Sequence, residues 1–310
     1  VTYSLYAVDF DGSNDYATAG DVLGFERTDS FSFALWVKSA PGNNGYFLGK
    51  RGDSPTYTGY NIGAVSSDYL FIAICHDNAV SDKIEMKTSG VDFSGRWIHL
   101  VWTYDGSSSA SGITCYVNGS SVSLTTTLDG LTGSITNAAD FWLGSAISAI
   151  PGRCKICRLN EVGVYDKELS SSEVAWIYNG AVPISLLDAS APSNLVGYWR
   201  MGDGDTYPTL SDSSGNGYDA TMTSMASADI VEDNIGGSPG LHVVLGSGGT
   251  TVTTYYKMRA RDDSVPPPGF VTWTVTSNPD FEGVSFSTGT PTPVGSMVAG
   301  SAVVVDTWEE

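Results

Sequence analysis

The chain has 310 residues, with 34 Asp or Glu against 15 Lys or Arg, a formal net charge of −19 and a pI near 4.2. That balance excludes nucleic acid and anionic membrane surfaces as expected partners, because phosphate contacts require Lys and Arg. No apolar run is long enough to span a bilayer, and 36 glycines with abundant Ser, Thr and Asp favour strands and turns over helices.

The first residues read as a strand rather than a leader segment. Tyr6–Phe10 alternates, then runs into the turn formers Asp11, Gly12, Ser13, Asn14 and Asp15. Phe31–Lys38 alternates again, and a loop at 41–45 leads to strands at Tyr46–Lys50 and Tyr60–Val65. Leu70–Cys75 and Lys83–Thr88 form a predicted hairpin. Trp97–Tyr104 is apolar or aromatic on both alternating faces, the pattern of a central strand covered on both sides. After Ile113–Val117 comes Asn118-Gly119, which specifies a type I′ hairpin because both residues tolerate positive φ. Asp140–Gly144 and Lys155–Tyr165 are further short strands. One helix is marked within Leu169–Gly180: Ser170 and Glu173 stand at capping-box spacing, Val174, Ile177 and Tyr178 share a face, and Gly180 supplies the stop. It is expected to dock at an edge of the sheets. Strands at Leu195–Met201 and Tyr218–Met222 follow.

Short strands with regularly spaced turns predict an all-β, two-sheet antiparallel sandwich or jelly roll with one short helix, over residues 1–235. From Gly236 the chain is broken by Gly- and Pro-rich pieces, with strands expected at Thr250–Arg261, Phe270–Thr276 and Ala302–Thr307. Residues 236–310 read as a β-rich arm or small module for anchoring or oligomerisation. Of the four cysteines, Cys154 and Cys157 match C-x-x-C, but no second pair completes a zinc site. The cysteines are expected to be structural and reduced.

The ordered motifs AVDFDGSNDYATAG, SFSFALWVK, RWIHLVWTYDG, ITCYVNGSSV and LNEVGVYDKELSSSEV resemble the laminin G-like, concanavalin A-like lectin/glucanase superfamily. The resemblance covers Tyr6 to Asn179 and implies a jelly roll. The segment LVGYWRMGDGDTYPTLSDSSGNGYDATM resembles the family's lead-in, which in relatives precedes the first strand. Here it follows the helix, so it either closes the sandwich from the C-terminal side or opens a second, incomplete copy. Closure is expected because no further W-x-H or YVNG set follows, and the family's lead-in implies pairing with the N-terminal strand. This order also resembles structural proteins of tailed bacteriophages.

Glycosidases on this fold space carboxylates as E-x-D-x-(x)-E on one strand, and no such array is present. Glu161 lies in the structural N-E-V motif, and His99 stands where the family has a packed core histidine. No enzyme is expected. Hard cations want clustered oxygen ligands in turns, which makes calcium the expected ion for Asp11, Asn14 and Asp15 with Asp203 and Asp205. Asx-turn chemistry is the alternative for the same residues. Sugar binding needs exposed aromatics, and Tyr57, Tyr60, Tyr69 and Trp142 are the candidates. Arg51-Gly-Asp53 and the sequon at Asn118 are discounted. Two functions compete, with a degenerate glycoside hydrolase or polysaccharide lyase as a remote third. One is a virion or surface structural protein that displays a jelly roll and partners copies of itself or other surface proteins through the C-terminal arm. The other is a secreted, calcium-dependent lectin; both admit glycan partners.

Overall fold

Two antiparallel sheets face each other across one apolar core. The computed structural model describes residues 5–41, 44–53, 55–65, 68–147, 156–233 and 235, together with three later strands. In chain order the first seventeen strands are β1 (Tyr6–Phe10), β2 (Tyr16–Thr18), β3 (Phe31–Ser39), β4 (Gly45–Arg51), β5 (Gly59–Val65), β6 (Tyr69–Asp77), β7 (Asp82–Thr88), β8 (Trp97–Tyr104), β9 (Ile113–Val117), β10 (Ser120–Ser121), β11 (Leu124–Asp129), β12 (Phe141–Leu143), β13 (Cys157–Tyr165), β14 (Leu195–Trp199), β15 (Thr209–Leu210), β16 (Ala220–Thr223) and β17 (Ile230–Glu232). Helix α1 (Ser171–Tyr178) lies between β13 and β14.

The first sheet runs β10-β9-β8-β3-β13-β1-β17, with β14 also paired to β13. The second runs β11-β7-β6-β5-β4-β12-β2-β16-β15. β8 pairs β3 from Phe31 opposite Tyr104 to Lys38 opposite Trp97. Alternation therefore sends Phe33, Leu35, Leu100 and Trp102 into the space between the sheets and Ala34, Val101, Trp36 and His99 outward. Asn118 and Gly119 both take positive φ between β9 and β10, as the hairpin requires. The Asn118 side chain also accepts from the His99 backbone N–H, tying the turn to β8.

Helix α1 covers the outer face of the first sheet. Val174 and Ile177 pack on Ala34, Val101, Tyr165 and Tyr198, and the capping box between Ser170 and Glu173 is formed. The helix thus sits over the middle strands, not at an edge. Small side chains at Ala34 and Val101 leave room for it there.

The segment 195–223 joins both sheets: β14 pairs β13 in the first, and β16 pairs β2 in the second. The sandwich is closed from the C-terminal side. The partner of β14 is β13, however, and not the N-terminal β1, whose free edge is taken by β17. Trp199 locks this closure. It is fully buried, stacks on Phe141 at 5.3 Å, and donates its indole N–H to the Tyr218 carbonyl at 2.9 Å.

Cys75 and Cys115 are buried free thiols, Cys157 is buried, and Cys154 lies outside the described residues. The chain divides into two compact units, Val1–Gly236 and Gly237–Glu310. In the second, β18 (Val271–Val275) pairs antiparallel with β19 (Val284–Thr288) and β20 (Val303–Val305). The strand expected at Thr250–Arg261 lies outside the described residues.

Candidate functional site

Among the described residues no helix lies on the outer face of the second sheet, where Ala146 and Ile147 pack against Tyr46, and the side chains beside them build a groove of about 430 Å³ over β4 to β7. Register explains the shape. Gly49, Asn61, Ala73 and Glu85 form one cross-strand row, flanked by the row Arg51, Gly59, Cys75, Lys83 and by the row Tyr46, Gly63, Phe71, Lys87. Gly59, Gly63, Asn61 and Ala73 leave a floor, and Tyr46, Arg51, Phe71, Lys83, Glu85 and Lys87 stand up around it as walls. Gly49 is needed there: a Cβ would fall 2.8 Å from the Asn61 Cβ and 2.6 Å from the Tyr60 carbonyl.

The floor is polar at one point. Asn61 is 1% exposed, and neither its amide nitrogen nor its amide oxygen has a hydrogen-bond partner among the described residues. An unpaired buried amide costs stability unless a water or a ligand completes it. The walls are aromatic and cationic. Tyr46 packs edge-on to Phe71 at 6.0 Å, the Arg51 guanidinium lies 4.9 Å over the Tyr57 ring, and Lys87 lies 4.9 Å over the Tyr69 ring. Arg51 also donates to the Tyr57 carbonyl and the Tyr46 hydroxyl, which fixes both tyrosines on the rim. Lys83 is neutralised by Glu85 at 2.8 Å.

A larger hollow of about 690 Å³ opens beside α1, near Trp176, Asp188, Arg200 and Asp203. Its charges are already engaged. Arg200 pairs with the buried Glu161, and Asp203 accepts from the Leu5 and Tyr6 N–H groups. Burial pushes Glu161 up to about 7 against the opposing pull of Arg200 and of the Tyr198 hydroxyl it accepts from. Burial likewise pulls His99 down to about 3, leaving a neutral imidazole between Trp36 and Tyr178.

The sequence profile of the concanavalin A-like lectin/glucanases superfamily matches residues 11–175, just over half of the chain. The chain belongs to that superfamily. Among solved structures, a candidate carbohydrate-binding protein from Bacteroides ovatus is 19% identical with a TM-score of 0.51, over 76% of this chain and 61% of that one. The chain thus spans less than two thirds of that protein's length. A heptameric SAP-like pentraxin from Limulus polyphemus is 17% identical with a TM-score of 0.45, over 61% of this chain and 92% of the other. The binding domain of botulinum neurotoxin serotype G is 15% identical with a TM-score of 0.37, over 50% and 37%. At these identities the likeness is one of fold. Comparison with curated proteins gave no match. None of these findings bears on the resemblance to tailed-phage proteins.

Within the superfamily's sandwich, the four aromatic candidates separate. Tyr57 and Tyr69 are half-buried and line the groove. Tyr60 is 1% exposed in the core, donating its hydroxyl to the Leu23 carbonyl at 2.7 Å, so it faces no ligand. Its place follows from strand parity, since Asn61 takes the outward position. Trp142 is 7% exposed and packed on Tyr16 at 4.5 Å; it stands next to Gly49 in the row that carries Asn61 but does not line the groove. The sequence reading missed Tyr46, Asn61, Phe71, Lys83 and Lys87, and it set Arg51 aside with its tripeptide. The available signal was Asn61 itself, a residue poorly suited to strand interiors, placed between Gly59 and Gly63.

The two acidic turns expected to share calcium do not meet. Asp203 binds the start of β1 through Leu5 and Tyr6, whereas Asp11 follows its end, roughly 20 Å away at about 3.3 Å per residue. Their carboxylates serve backbone turns. Asp11 accepts from the Ser13 N–H, Asp15 from Asp11, and Asp205 from Gly202 and Ser211. Burial, with Asp11 nearby, holds Asp15 above the usual carboxylate range. The Asn14 side chain has no role in these bonds. Among the described residues no group of three His, Cys, Asp or Glu is placed to hold a metal ion. None of the described helices is long and apolar enough to cross a membrane.

Proposed function

We propose that this chain is a non-enzymatic saccharide-binding module, and that the groove over β4 to β7 is its binding site. The observation that carries the reading is the unpartnered amide of Asn61 on the floor of an aromatic-walled groove. Sugars offer hydroxyls that both donate and accept, which suits an amide with both functions free. Their C–H faces stack on tyrosine and phenylalanine, here Tyr57, Tyr69 and Phe71. Asn61 is 1% exposed, so a hydroxyl reaches the amide only when the groove opens. The superfamily and the fold likeness to a candidate carbohydrate-binding protein point the same way. Glu161, engaged by Arg200 and Tyr198, has no second carboxylate at glycosidase spacing on its strand, which supports binding without turnover. The second unit, Gly237–Glu310, is the natural attachment to a virion or other extracellular surface, or to copies of itself.

The test is glycan-array binding by the full chain, with the wild type and Asn61→Ala side by side, in calcium and in chelator. Selective binding that Asn61→Ala abolishes and chelator leaves intact is expected, since the groove holds a single carboxylate, Glu85. Binding that survives Asn61→Ala would place the site elsewhere. Binding lost in chelator would restore a calcium-dependent site.

A further inference from the structure

The groove is a local reversal of the charge of the molecule. The chain has 34 acidic and 15 Lys or Arg residues, yet the groove is lined by three cations, Arg51, Lys83 and Lys87, and one acid, Glu85. Glu85 cancels Lys83. Arg51 and Lys87 have no carboxylate within ion-pairing distance among the described residues; they rest on the faces of Tyr57 and Tyr69 instead. Both stand in the rows that flank Asn61, Arg51 on β4 and Lys87 on β7. A cation held against an aromatic face beside an unpaired amide is ready for an anionic group, and charge-assisted hydrogen bonds are about twice as strong as neutral ones.

We infer that the ligand of this groove is a short saccharide bearing a single carboxylate, with the carboxylate met by Arg51 or Lys87 and a neighbouring hydroxyl met by Asn61. This rests on the saccharide reading above and narrows it. The limit to a single charge follows from the rest of the molecule. A net charge of −19 repels a polyanion that extends beyond the groove, while two uncompensated cations suffice for one carboxylate. Sulfated polymers are thereby disfavoured, and so are neutral glycans, which leave both cations unanswered.

The experiment uses the full chain on an array that carries carboxylate-terminated oligosaccharides, neutral oligosaccharides of the same linkage, and sulfated polymers. Hits are then titrated calorimetrically at low and high salt. The acidic member of a matched pair should bind about tenfold more tightly than the neutral one, equivalent to about 1.4 kcal/mol, and raised salt should erode that margin. Lys87→Gln, at a half-exposed position, should shrink the margin between the acidic and the neutral member of a pair while leaving the melting temperature in place. Equal binding of matched acidic and neutral glycans would overturn this inference and leave the saccharide reading standing. Hits confined to sulfated polymers would also overturn it. An array with no hits at all would defeat the saccharide reading and this inference with it.

Discussion

The unpaired amide makes a prediction whose sign is unusual. Asn61→Val removes both buried polar atoms, adds no volume, and places a β-branched residue in the middle of β5. Leaving a buried polar group unsatisfied costs about 1–3 kcal/mol, so the substitution should stabilise the fold by about 2 kcal/mol. For a unit of this size each kcal/mol shifts the melting temperature by about 2–4 °C, so a rise of about 4–8 °C is expected. Most core substitutions destabilise by about 1 kcal/mol, and chance alone will not produce this rise. The assay is thermal unfolding followed by near-UV circular dichroism, with saccharide binding measured on the same samples. Stability should go up as binding disappears, the trade expected of a residue kept for its ligand. A melting temperature that stays level or falls would refute the reasoning, because it would mean the amide already has partners in the free protein.

Two further outcomes follow from buried groups. Glu161, raised to about 7 from 4.5, favours the folded state below pH 4.5, and that contribution is lost as the pH climbs to 7. His99, lowered to about 3 from 6.5, acts oppositely, removing stability as the pH falls from 6.5 to 3. Between pH 4.5 and 6.5 the two slopes oppose each other, so denaturant midpoints of the wild type should vary little there. Glu161→Gln should expose the histidine slope, with stability rising steadily across that window; a flat profile in the variant would count against it. Trp199→Ala, which removes the ring that closes the sandwich on Phe141, should cost about 3–5 kcal/mol by chemical denaturation.

Much of the fold is legible from local patterns, because they agree with the tertiary structure. Trp97–Tyr104 is apolar on both faces, and β8 is buried on both, beneath α1 on one side and against the second sheet on the other. The Asn118-Gly119 turn and the Ser170–Glu173 capping box are set by residues within a few positions of each other, and both form. What local pattern does not carry is pairing across long separations. Leu195–Met201 reads clearly as a strand, but nothing in it says that its partner is β13 and not β1, so the two acidic turns that it was expected to bring together stay apart. The site was harder still. Tyr60 and Asn61 are adjacent, and which of them faces the groove depends on register across β4, β5 and β6. Counting aromatics selects the tyrosine, and the pleat selects the asparagine.

The same asymmetry explains why the site lies where it does. A sandwich has two outer faces, and each must be either polar or covered. The first sheet answers with α1, whose Val174 and Ile177 bury the outward side chains of β3, β8 and β13. On the second sheet Ala146 and Ile147 pack against Tyr46 and no described helix lies over the rest, yet its outward positions include Tyr46, Phe71 and Tyr69, with Asn61 unpaired among them. A face designed only for water would carry charges on its walls and no sealed amide on its floor. Apolar walls, two uncompensated cations and an unanswered amide together describe a surface that is incomplete until something amphipathic and anionic occupies it.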